Sequence, residues 1–160
     1  MIDGSIHTIL SFRSGGRLLA APIEAVREVL PAFEILRTPG LAPVSPGVIS
    51  LHGEILPVID SGLLLGGPAI VLHPRCKFVV IDIAPRAFAL LVETVDDLIE
   101  IERNQLVESA PGPSRRLVSG IVAVGDEMVM LLDVDVCGTM ENLGDAGAGD
   151  AGVGAEGWAA

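Results

Sequence analysis

Gly47-Val-Ile-Ser-Leu-His-Gly-Glu-Ile-Leu-Pro-Val-Ile-Asp60 decides the fold, because its pattern is written twice. Further along, Gly120-Ile-Val-Ala-Val-Gly-Asp-Glu-Met-Val-Met-Leu-Leu-Asp133 lies over it without a gap. A glycine opens each stretch, a glutamate follows each central turn and an aspartate closes each. Two apolar runs flank a two-residue turn in both, which is the pattern of a β-hairpin. Gly47 to Leu51 thus pairs with Ile55 to Ile59 around His52-Gly53, and Gly120 to Val124 with Met128 to Leu132 around Gly125-Asp126.

Working outward, a second match precedes each of these hairpins. Arg17-Leu-Leu-Ala-Ala-Pro-Ile-Glu24-Ala-Val26 lies over Arg86-Ala-Phe-Ala-Leu-Leu-Val-Glu93-Thr-Val95, with Arg, Ala, Glu and Val at matching places. Each is the second arm of its own hairpin: Ile9 to Phe12, a Ser14-Gly15-Gly16 turn and Leu18 to Ala21 in the first copy; Phe78 to Ile83, Ala84-Pro85 and Ala87 to Val92 in the second. An offset of about 70 residues is too long for a solenoid repeat and fits a duplicated small domain, with halves at roughly 9–60 and 78–133.

Helices are few in this reading. Pro22 stands where a helix tolerates proline, Ile23, Val26, Val29 and Leu30 fall on one helical face, and Pro31 ends the run. Asp133 to Met140 reads as a closing helix with the aspartate at its N-terminus. Thr38 to Pro46, with its prolines, is an extended connector. From about Glu141 the chain is rich in Gly, Ala and Asp and lacks the apolar residues for a core, so 1–140 reads as the folded domain and 141–160 as a disordered acidic tail.

Half of the 160 residues are apolar, yet there are only four Phe, one Trp and no Tyr, so aliphatic side chains must fill the cores. The net charge of −11, from 21 acidic against 10 basic residues, repels nucleic acid and anionic membranes. No run approaches the ~18–20 apolar residues needed to cross a bilayer, and the N-terminus lacks a secretory pattern, which makes the cytoplasm the expected compartment. Cys76 and Cys137 stand far apart without CxxC spacing, against a zinc or redox site.

The candidates for chemistry are His7, His52 and His73 with the carboxylates Asp60, Asp82, Asp96, Asp97 and Asp133. They form none of the spacings of a metalloprotease, a nucleophile elbow or a phosphate loop, so neither catalysis, metal nor cofactor is expected. His52, in a tight turn, reads either as a plain polar turn residue or as a partner contact. The acidic run Asp96-Asp97 with Glu100 and Glu102 either steers a basic partner or keeps an edge strand charged against unwanted pairing, the second being preferred.

Four stretches in this order resemble the CheW-like family, the coupling modules of bacterial chemotaxis arrays. They are Ala21 to Val29, with its V-x-E-V; Gly47 to Asp60, similar to G-V-x-N-L-R-G-x-x-x-P-V-x-D-L; Ala89 to Val95; and Gly120 to Asp133. The resemblance implies a mostly β fold of two SH3-like five-stranded β-barrel subdomains with short helices. It also implies a non-enzymatic adaptor that links methyl-accepting chemoreceptors to a CheA-type histidine kinase. By position, Val26, Glu28, Gly47, His52 and Gly53 fall where the family meets its partners, and Phe78 and Val79 begin the strand bordering the groove between barrels.

This chain departs from the family pattern at three places: Ser50-Leu51-His52-Gly53 stands for Asn-Leu-Arg-Gly, Glu93 for an aspartate and Ser61 for a leucine. An imidazole does not reproduce the donor fork of a guanidinium. The competing reading is a small-ligand or enzymatic pocket between the barrels using Asp60, Asp133 and a histidine.

Overall fold

Alternation dictates the strands. In a computed structural model, which describes residues 5–108 and 117–139, the four expected hairpins are β1 (Ile6–Ser14) with β2 (Arg17–Pro22), β5 (Gly47–Leu51) with β6 (Glu54–Asp60), β7 (Lys77–Ile83) with β8 (Arg86–Val92), and β11 (Val118–Val124) with β12 (Glu127–Leu132). Between them run β3 (Val26–Pro31), β4 (Leu36–Arg37), β9 (Thr94–Glu102) and β10 (Val107–Glu108). Asp60 is followed by one helical turn, α1 (Ser61–Leu64).

The strands form two sheets, in the orders β10-β11-β12-β2-β1-β9 and β3-β7-β8-β6-β5-β4. The outermost strands of each sheet are neighbours in the chain. A 3-10 turn at Arg103–Gln105 separates β9 from β10, and only residues 32–35 separate β3 from β4. Each sheet therefore curls until its two ends meet along one broken path, which makes six strands of five paths and gives the mostly β, barrel-like architecture that the resemblance implies.

The barrels do not follow the repeats. Barrel A takes its β1–β2 hairpin from the first copy and its β11–β12 hairpin from the second; barrel B combines β5–β6 of the first copy with β7–β8 of the second. The joints are the parallel pairings β12 with β2 and β6 with β8. Val58 lies opposite Ala89, and their counterparts in the other copy, Leu131 and Ala20, lie opposite each other, so both joints have the same register. The units 9–60 and 78–133 are thus sequence repeats that exchange hairpins, and neither is a barrel.

This exchange explains why whole strands are apolar. Successive side chains point to opposite faces; in β8, Ala87, Ala89 and Leu91 fill the inside of barrel B while Phe88, Leu90 and Val92 face barrel A. On β2, Leu18 and Ala20 fill barrel A while Leu19 and Ala21 join the shared layer, where they meet Phe12, Ile59, Val79 and Ile81. A strand covered on both faces reads as a continuous apolar run.

The helix expected over Ile23 to Leu30 is not formed. Only Ile23–Ala25 make a 3-10 turn, and Val26 onward is β3, paired antiparallel with β7. The apolar residues that fit one helical face also fit a strand whose exposure alternates, and pairing to β7 satisfies backbone groups that a short isolated helix leaves open. Pro31 closes β3 at the end of its sheet, where a missing N–H is tolerated.

The closing aspartates are caps. Asp60 is buried, and its carboxylate accepts hydrogen bonds from the N–H groups of Gly62 (2.8 Å), Leu63 (3.1 Å) and Ile70 (2.9 Å). Residues 134–139 are helical, and Asp133 accepts from the Val136 N–H at 3.1 Å. Met140 and the 141–160 tail lie outside the described residues.

Candidate functional site

The β5–β6 turn is built to project. His52 and Gly53 both have positive φ, 52° and 82°, which is the tight turn whose twist matches a two-residue hairpin. Glycine adopts this freely; His52 is the non-glycine residue with positive φ among the described residues, its side chain 74% exposed. The imidazole Nε2 stands 3.3 Å from Oε2 of Glu28 on β3, so two of the sequence candidates meet across the rim of barrel B. Next to them Arg27 donates to both carboxylate oxygens of Asp82, at 2.6 and 3.0 Å, and to Glu54 at 3.0 Å. Hydrogen bonding from Arg27 holds the Asp82 carboxyl below its ordinary pKa, against a smaller opposing effect of desolvation.

Barrel A carries the same cluster with two charges exchanged. Arg13 donates to Asp96 at 2.9 Å and to Glu127 at 2.8 Å. In the repeat, Arg13 takes the place of Asp82, Asp96 that of Arg27 and Glu127 that of Glu54. Both strand pairs shift register beside the exchanged residue, between Val26 and Glu28 in one barrel and across Leu10 and Phe12 in the other. The acidic run on β9 is thereby divided: Asp96 is an ion-pair partner, while Asp97 and Glu100 are exposed on a strand that, among the described residues, pairs with β1 alone.

The other sequence candidates are interior. Gly47 is buried because β4 crosses directly over it; a Cβ there would lie 2.0 Å from the Leu36 carbonyl oxygen. Phe78 and Val79 are fully buried, Phe78 inside barrel B edge-on to Phe33 at 5.2 Å and Val79 in the shared layer, so neither lines an open groove. Val26 is half-buried against the shared layer. Of the seven candidates, Glu28, His52 and Gly53 reach solvent together.

Sequence reasoning missed an apolar surface. A groove of about 680 Å³ on barrel B is lined by Phe33, Leu36, Arg37, Val48, Ser50 and Ile55. Leu36 is 69% exposed and Ile55 64%. Their repeat counterparts on barrel A, Val107 and Met128, are 72% and 63% exposed, and each pair flanks an equivalent residue, Val48 opposite Leu36 and Ile121 opposite Val107. The signal was present in the alternation: Ile55 and Met128 stand between the turn glutamate and the first inward residue of each strand.

The competing pocket is not assembled. The cleft of about 340 Å³ at the seam of the barrels is lined by Ser14, Arg17, His73 and Glu93 among others, and by neither Asp60 nor Asp133. Ser61 sits beneath it, its hydroxyl donating to Ser14 at 2.7 Å. Both aspartates serve backbone N–H groups instead. Among the described residues, no group of His, Cys, Asp or Glu is placed to hold a metal, and no helix is long and apolar enough to cross a membrane. Cys76 and Cys137 are buried free thiols.

Two interlocked barrels around a shared core, each presenting an apolar strand face, define a double-barrel scaffold. The family described as CheW-like domain matches residues 8–138, and the chain belongs to it. It is similar to the chemotaxis protein CheW of Rhizobium meliloti (strain 1021), 27% identical over 79% of this chain and 84% of that one, and to the chemotaxis protein CheW of Klebsiella aerogenes, 22% identical over 79% and 78%. Among solved structures, the scaffolding protein TtCheW from Thermoanaerobacter tengcongensis superposes with a TM-score of 0.72 at 25% identity, covering 81% of this chain and 86% of that one.

Proposed function

We propose that this protein is a cytoplasmic, non-enzymatic adaptor that couples methyl-accepting chemoreceptors to a CheA-type histidine kinase. The observation that carries the reading is the pair of equivalent apolar faces, Leu36-Val48-Ile55 and Val107-Ile121-Met128, on opposite barrels. Leu36, Ile55, Val107 and Met128, each left more than half exposed at matching places on the two barrels, are contact surfaces in the usual sense of exposed apolar patches. Glu28, His52 and Gly53 rim barrel B beside its face and set register by charge and shape. The two relatives named as chemotaxis protein CheW and the structure named as a scaffolding protein support an adaptor role in chemotaxis.

The test is calorimetric titration of the purified chain into the kinase and into a receptor signalling fragment from the same organism. Ile55→Glu and Met128→Glu each place a charge in a desolvated interface, and at least one should weaken kinase binding by about tenfold or more. His52→Arg should alter affinity for one partner by a smaller factor. Absence of binding to both proteins by the unmodified chain would sink the adaptor reading.

A further inference from the structure

The two copies differ at the end of one hairpin. Ile83, paired with Arg86 across the β7–β8 turn, packs against the helix that follows Asp133, where a Cβ on Gly138 would stand 2.0 Å from the Ile83 Cδ1. In the first copy Ser14 holds that position, paired with Arg17 across the β1–β2 turn, and Leu65 follows Asp60 as Gly138 follows Asp133. A serine does not fill the space that an isoleucine fills, and the cleft of about 340 Å³ at the seam opens in front of it. One wall of the cleft comes from residues 67–73, an irregular stretch tied down along its length. The Gly67 N–H donates to the Gly62 carbonyl at 2.9 Å, the Ile70 N–H to Asp60 at 2.9 Å and the Cys76 N–H to the His73 carbonyl at 3.0 Å. The cleft is of the size of small-ligand sites, and none of its lining residues belongs to the apolar faces of the barrels.

We propose that this cleft binds a free α-amino acid with an apolar side chain. Three of its side chains are donors. Ser14, buried at the back, accepts from the Ser61 hydroxyl at 2.7 Å and retains its own hydrogen to donate. The Nδ1 of His73 accepts from the Arg75 N–H at 3.2 Å, which places the ring proton on Nε2. Arg17 reaches the Leu65 carbonyl with one N–H, at 3.5 Å, and keeps the rest of its fork. Such donors, one of them charged, suit a carboxylate. The cleft also holds an acceptor, Glu93, whose Oε1 takes the Gly15 N–H at 2.5 Å. Among the described residues Arg17 and Glu93 form no ion pair with each other or with a third group, in contrast to Arg13, Arg27 and Arg103. A bare anion would meet Glu93 and the field of a chain of net charge −11. A zwitterion presents its ammonium to Glu93 and brings no net charge into that field. Leu65, Ile70 and Val71 supply apolar surface for the side chain, and Val71 is 81% exposed without such an occupant.

The experiment titrates L-leucine into the full chain and follows amide chemical shifts, beside 4-methylpentanoate, which is leucine without its ammonium group. The site predicts saturable shifts centred on Gly15, Leu65, Ile70, Val71 and Glu93, with a Kd of about 1 mM or lower for leucine and an affinity about tenfold lower for 4-methylpentanoate. Arg17→Gln should weaken both ligands by about tenfold, whereas Glu93→Gln should weaken leucine alone, so that the two ligands bind that variant alike. Ser14→Ile, which gives the first copy the residue of the second, should abolish the shifts. Arg17 and Glu93 lie outside the buried core, so their variants carry the test if Ser14→Ile disturbs folding. Absence of saturation by about 10 mM leucine, shifts clustered on another surface, or equal affinity of the parent chain for the two ligands overturns the proposal.

Discussion

At the residue scale, the buried side chains of Ser11, Ser45 and Asp60 serve the backbone, while Ser61 and Ser14 bond to each other. Asp60 satisfies three N–H groups in a buried site, so Asp60→Ala, which orphans all three, should cost about 3 kcal/mol, read from the urea midpoint. Asp82 acts at the surface. Its carboxyl is held below the ordinary range by Arg27, so its contribution is fully present above the usual carboxylate pKa and is lost as pH falls through the folded-state value. Because both side chains are substantially exposed, Asp82→Asn should cost less than about 1 kcal/mol at neutral pH. The gap between the variant and the parent should close below about pH 4 in paired thermal melts. The caps were legible in part, since an aspartate before a candidate helix is a sequence signal; the third donor to Asp60, from Ile70, was not, because it comes from a loop that returns through space. Arg27 and Arg13 gave no signal either, as each reaches carboxylates more than 25 residues away in sequence.

At the element scale, the twin glycines that open the repeats do unequal work. A Cβ on Gly47 meets backbone atoms of Leu36 and Arg37, which belong to a paired strand and have nowhere to go, whereas a Cβ on Gly120 meets the Leu106 side chain first, at 2.9 Å. Gly47→Ala should therefore destabilise by about 3 kcal/mol and Gly120→Ala by about 1, a difference measurable as separate urea midpoints. Every hairpin was readable, because a turn between two apolar runs leaves few alternatives. The failure was β3. Ile23, Val26, Val29 and Leu30 satisfy a helical face on paper, and what tips the segment into a strand is the open flank of β7, which no local pattern announces. The burial of Phe78 and Val79 was unreadable for a related reason: both faces of β7 are covered by strands that no local pattern announces.

At the scale of the whole molecule, hairpin exchange makes the chain indivisible. A cut in the loop between α1 and β7 leaves each piece with two hairpins that pair with the other piece and not with each other. Residues 1–67 and 68–160 expressed apart should each lack a cooperative melting transition and regain one on mixing, as followed by circular dichroism; a piece that melts cooperatively alone would contradict the exchanged topology. The sequence by itself determined the duplication, the hairpins, the mostly β class and the family, because turn chemistry and alternation are local and each repeat carries them in full. Only the tertiary structure decided which hairpins share a barrel and which apolar residues stay outside. An apolar strand residue looks the same whether its face is covered or bare, and the cover comes from strands distant in the chain.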